Sequence, residues 1–207
     1  MIRKALKVTG LGALALLAGC VTVNETYTGV ANESKRDYLN YAGDETPVLV
    51  RAVNSPFSEG EVETAAVAAR FAKDAVTRST VEFTELDSAA GQPHFRVVMV
   101  FDPAINVSAH DVCKAEVAPP KPDRAPGAMR IHSVFCSNEE PLAGTLVEGP
   151  APKSLNDQNY EKLVRMTFEN MFPTNDPEGP NEPRFLTSLR LAPTFGFRLN
   201  PLEGVFN

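Results

Sequence analysis

Two histidines and two cysteines fall into paired spacings near the middle of the chain, His110-x2-Cys113 and His132-x3-Cys136. Two imidazoles and two thiolates can hold zinc tetrahedrally, so these four residues define one candidate chemistry. Their order is unusual for such a site. On a regular strand His132 and Cys136 share a face, whereas His110 and Cys113 do not. The competing chemistry is simpler: Cys113 and Cys136 oxidise to one disulfide and the two histidines stay at the surface. In an oxidising compartment the disulfide is the favoured reading and zinc the weaker alternative. Nucleophilic catalysis has less support still. The chain contains no Gly-x-Ser-x-Gly, no His-Glu-x-x-His and no glycine-rich phosphate loop. Three histidines (His94, His110, His132) and many serines allow a triad to be drawn, but no spacing selects one. The carboxylate pairs Glu61/Glu63 and Glu139/Glu140 fall at a helix start and in a turn, where a helix dipole or plain solvation accounts for them. The expectation is a non-enzymatic protein with no catalytic residue, no metal and no cofactor.

The third cysteine, Cys20, stands in a different setting. Residues 1–7 carry Arg3, Lys4 and Lys7 and no acid, and residues 8–19 are uncharged and mostly apolar. That run suits a signal-peptide core and is shorter than the roughly 20 apolar residues of a spanning helix. Leu17-Ala18-Gly19-Cys20 then resembles the lipobox of bacterial lipoproteins, a likeness that covers residues 1–20 alone. It implies that the Cys20 thiol receives a diacylglyceryl group, that a signal peptidase cuts ahead of it, and that the new amino group is open to acylation. Two or three acyl chains, at about 0.8 kcal/mol per buried methylene, make a permanent anchor without a transmembrane helix. In such lipoproteins an Asp after the lipidated Cys commonly retains the protein at the inner membrane. Val21 stands there instead, so the resemblance points to the outer membrane, facing the periplasm.

Charge and compartment follow. The precursor has a formal charge of −6, and loss of the three leader cations takes it to −9. An acidic surface argues against nucleic acid and against a polybasic grip on lipid. The expected partners are the membrane, through the lipid, and an envelope protein. Export also favours the Cys113–Cys136 disulfide, whose closed loop of about two dozen residues contributes roughly 3 kcal/mol.

The elements that must position these residues are less explicit. Residues 20–46 are polar and predict a tether, with Tyr27, Tyr38 and Tyr41 able to dock part of it. An α+β domain is expected over 47–172. Val48–Val53 reads as a strand ended by Asn54-Ser55-Pro56. Ser58 and Glu61 form a capping-box pattern, with Phe57 and Val62 at the staple positions, ahead of an alanine-lined helix at about 59–78. Val81–Leu86 and Val112–Val117 alternate as short strands do, and Phe95–Phe101 is apolar enough for a central strand. Residues 118–127 hold four prolines and read as a loop. Met129–Cys136 and Leu142–Val147 predict a hairpin joined by 137–141. Tyr160, Leu163, Val164, Thr167, Phe168 and Met171 predict a second amphipathic helix, about 157–172, stopped by Pro173. Residues 173–207 form a Pro-rich arm and an apolar end, which either covers its own domain or docks on a partner.

This order predicts a mainly antiparallel sheet of about five strands with two amphipathic helices on one face, including a right-handed crossover between the first and central strands. The functional expectation is a membrane-anchored envelope lipoprotein serving as a binding or assembly accessory. A periplasmic small-ligand carrier is the alternative, and a cryptic hydrolase a more remote one.

Overall fold

A computed structural model describes residues 20–104, 106–114 and 126–174. Its strands build a six-stranded sheet. The strands are β1 (Thr22–Tyr27), β2 (Val48–Val53), β3 (Phe83–Thr84), β4 (Phe95–Phe101), β5 (Ala128–Ser137) and β6 (Glu140–Pro150), in the order β1-β6-β5-β4-β2-β3. The helices are α1 (Asn32–Ala42), α2 (Gly60–Ala75), α3 (Ala109–Cys113) and α4 (Gln158–Met171). The α+β class is as expected, but the sheet is mixed. β2 pairs parallel with both β3 and β4, while β4, β5, β6 and β1 pair antiparallel in succession. The parallel β2–β4 pair joined through α2 is the connectivity of a crossover.

The sheet buries both faces. One packs against α2 and α4, with Val50, Val97, Met99, Phe101, Ile131, Phe135 and Val147 beneath Ala68, Ala72, Leu163, Val164 and Phe168. The alanines of α2 permit its close approach. Tyr160 lies among Phe57, Phe71 and Phe101 and donates its hydroxyl to the Thr64 carbonyl at 3.0 Å. The other face carries a smaller core of Val98, Val100, Val134 and Cys136 under Ala109, Val112 and Cys113 of α3.

Four expectations are corrected. The largest concerns residues 20–46, which form β1 and α1 and not a tether. β1 pairs with β6 from Thr22↔Glu148 to Tyr27↔Gly144. Its polarity reflects an edge strand with much of its surface in solvent. α1 buries Leu39, Ala42 and the stem of Lys35, whose ammonium meets Glu25 of β1 and Asn32. The Arg36 guanidinium then caps two helix ends, donating to Phe172 O at 3.2 Å and to Thr77 O at 2.8 Å. Few apolar residues are needed when a helix is held this way.

Residues Val112 and Cys113 belong to α3 and not to a strand. Ser108 accepts from the Asp111 N–H and the Asp111 carboxylate accepts from the Ser108 N–H, a capping box that starts a helix. Residues 115–117 of the expected strand, and most of the proline-rich loop, lie outside the described residues. The capping box expected at Ser58 does not form. The Ser58 hydroxyl donates to Glu59, the Glu61 carboxylate accepts from the Asn54 N–H, and α2 begins at Gly60 with φ +86°. Val62, expected to staple onto Phe57, is 68% exposed, while Phe57 packs on Phe101 and Tyr160. Finally, the strand expected over 81–86 shrinks to Phe83–Thr84, and the hairpin strands extend to a tight turn at Asn138 (φ 54°) and Glu139. α4 falls within a residue of its expected bounds. The expected arm and apolar end lie outside the described residues from 175 onward.

Candidate functional site

Cys20 is exposed and immediately precedes the fold. The next residue, Val21, already packs on the main core. A Cβ on Gly149 would meet Val21 Cγ2 at 2.9 Å and Leu163 Cδ2 at 3.0 Å, so β6, α4 and Val21 close over one another. Among the described residues no helix is long and apolar enough to cross a membrane.

Cys113, at the end of α3, meets Cys136 of β5 with 5.6 Å between Cα atoms, as a disulfide requires. The pair holds α3 against the sheet. Arg96 donates to Cys113 O at 2.8 Å, and burial lowers the pKa of that guanidinium. The four candidate zinc donors do not converge. The sulfurs engage each other, His132 Nε2 lies 3.0 Å from Thr26 Oγ1, and His110 Nε2 lies 3.5 Å from the Glu140 carboxylate. Among the described residues no three His, Cys, Asp or Glu side chains are grouped to hold a metal.

On the α3 face, a half-open pocket of about 400 Å³ lies between β1, β5, β6 and the segment leading into α3. Tyr27, Val107, Ala109 and Leu146 line its apolar part, and His132 lines it from β5. His132 is 3% exposed, and burial pushes its pKa down to about 4, so the ring is neutral at neutral pH. At one side Arg130 Nε donates to Glu148 Oε2 at 3.1 Å across the β5–β6 pair. At the rim Tyr27 and His110 meet edge to face at 6.0 Å.

Two of the three histidines therefore share a pocket with a carboxylate and a serine, while His94 is exposed at the start of β4. Their hydrogen bonds lead elsewhere. Ser108 Oγ donates to Asp111, Glu148 is engaged by Arg130, and His132 bonds Thr26. Hydrogen bonds from Ser108 hold the Asp111 carboxyl below the usual carboxylate range. Neither histidine is within hydrogen-bonding distance of a serine among these contacts, and the one hydroxyl they place on an imidazole is that of Thr26, on His132. The pocket's chemistry is that of a small partly apolar cleft with a neutral imidazole and an internally compensated ion pair.

Of the lining residues only His110 and His132 were legible as site residues, and those missed include Thr26, Tyr27, Arg130 and Glu148. The first two fall in the stretch whose polarity predicts a tether. The second two oppose each other across the β5–β6 hairpin through a register shift between Phe135 and Cys136; counting from the Asn138-Glu139 turn alone sets Arg130 opposite Val147. No protein-family model matches this chain, and no curated protein matches it.

Proposed function

We propose that this protein is a lipid-anchored envelope protein that acts without catalysis, as a binding or assembly accessory held to the membrane through Cys20. One observation carries the reading: the lipobox-like Leu17-Ala18-Gly19-Cys20 ends where the described fold starts, with β1 two residues beyond Cys20. Cleavage ahead of Cys20 leaves every described strand and helix intact. The adjoining Cys113–Cys136 pair suits an oxidising compartment. A pull-down through the lipidated protein from solubilised envelopes tests the accessory role. It should recover a reproducible envelope complex that Cys20→Ala protein fails to recover, and recovery of nothing by either form counts against it.

The pocket on the α3 face favours a second reading, a small-ligand carrier, because its lining offers apolar surface beside a buried neutral imidazole. Native mass spectrometry of protein purified gently from the envelope separates the two. A carrier retains a small molecule that denaturation releases, and an assembly accessory does not.

A further inference from the structure

The short path from Cys20 to the core has a consequence for how the domain meets the bilayer. β1 enters the sheet at Thr22, in register with Glu148, and Val21 is packed on Gly149 and Leu163. Two residues span at most about 7 Å. A flexible tether over residues 20–46 would instead have given a root-mean-square reach of about 30 Å. A lipid on Cys20 therefore leaves the domain almost no slack.

The topology identifies which end is held. The start of β1 lies beside the end of β6, and that end lies beside the start of β5 through Ala128↔Pro150. β4 and β2 finish at this same end, through Phe101↔Ile131 and Val53↔Val100. The Asn54 N–H bond to Glu61 brings the first turn of α2 there as well, with exposed Val62 on it. Lys153 is exposed in the segment that follows β6. The opposite end carries the Asn138-Glu139 turn.

We propose that the membrane itself is the surface on which this end of the sheet rests: the start of β1, the end of β6 and the 150–155 segment face lipid, and the Asn138-Glu139 turn points away. The proposal rests on lipidation of Cys20. Acyl chains supply the attachment, because Arg130 at this end is paired with Glu148, and Lys153 stands against Glu59 and Glu61, which leaves no cationic cluster to grip anionic headgroups. The arrangement confines the protein's contacts to partners at the membrane surface, within about the height of one domain.

Depth-dependent fluorescence quenching tests the orientation on full-length lipidated protein in vesicles of phosphatidylethanolamine and phosphatidylglycerol with spin-labelled acyl chains. Fluorophores on Lys153→Cys and Glu139→Cys report the two ends, and both positions are exposed, so folding is little disturbed. The Lys153→Cys reporter should be quenched several-fold more than the Glu139→Cys reporter. Inserting a Gly/Ser linker of about 20 residues between Cys20 and Val21 should abolish that difference. Equal quenching in the unmodified linkage, with the acylated mass of Cys20 verified on the same sample, overturns the orientation alone. A Cys20 of unmodified mass overturns the anchoring and the orientation together.

Discussion

Thr26 of β1 reaches across β6 to His132, and the two residues bond at 3.0 Å beside the pocket. The imidazole is a neutral group at the bottom of a partly apolar cleft, and desolvation lowers its pKa from 6.5 to about 4. In the unfolded chain it regains an ordinary pKa. Between those two values the unfolded state binds a proton that the folded state does not, so stability rises with pH through the window. The contribution is complete above pH 6.5 and is lost as pH falls towards 4, amounting to roughly 3 kcal/mol. His132→Gln keeps a hydrogen-bonding group for Thr26 and removes the titration. Urea unfolding followed from pH 7 to pH 4 should therefore show a shallower loss of stability for His132→Gln than for the parent chain. Identical slopes would contradict a buried neutral His132. Ser133, its neighbour on the opposite face, is a different case: its hydroxyl is fully buried with no hydrogen-bond partner among the described residues, and nothing in the structure explains it.

At the scale of elements, α1 decides whether residues 20–46 belong to the fold. Leu39 is 1% exposed and packs in the main core, while Arg36 of the same helix binds the carbonyls that follow α2 and α4. Leu39→Ala should cost about 2–5 kcal/mol in chemical denaturation, the range for truncating a buried leucine. A change below about 0.5 kcal/mol is the signature of an exposed tether position and would contradict the packing of α1. The elements carried by strong apolar periodicity were legible: β2, β4 and α4 lie at or within a residue of their expected bounds. β1 and α1 were not, because an edge strand half in solvent and a helix with two buried apolar residues have the composition of a linker. α3 was lost to a misread period. Val112 and Cys113 belong to an apparent alternation whose continuation lies outside the described residues, and the informative pair was Ser108 with Asp111. The parallel β2–β4 pair follows the strand–helix–strand order that suggested a crossover, whereas the parallel pairing of the two-residue β3 with β2 has no local signal. As for the pocket, His110 and His132 were singled out for metal, whereas the structure surrounds them with Tyr27, Arg130 and Glu148, which only the assembled strands bring together.

For the whole molecule, the main question is how a small α+β domain with a net acidic surface is held where it works. The fold offers one route, since Cys20 is exposed and is followed at once by a core-packed Val21 and the edge strand β1. Under the proposed lipidation, attachment there holds the domain close to the membrane surface, and the Cys113–Cys136 pair clips α3 to the sheet. The pocket lies on that same face, and Glu148 links the two features: it lines the pocket and is paired in register with Thr22. Any molecule bound there sits close to the start of β1. The most direct test of the anchoring claim is the mass of the N-terminal peptide of mature protein isolated from the envelope. The account predicts a peptide that begins at Cys20 and carries a diacylglyceryl group, with or without a further acyl chain. A mature protein that begins elsewhere, or begins at an unmodified Cys20, would contradict it.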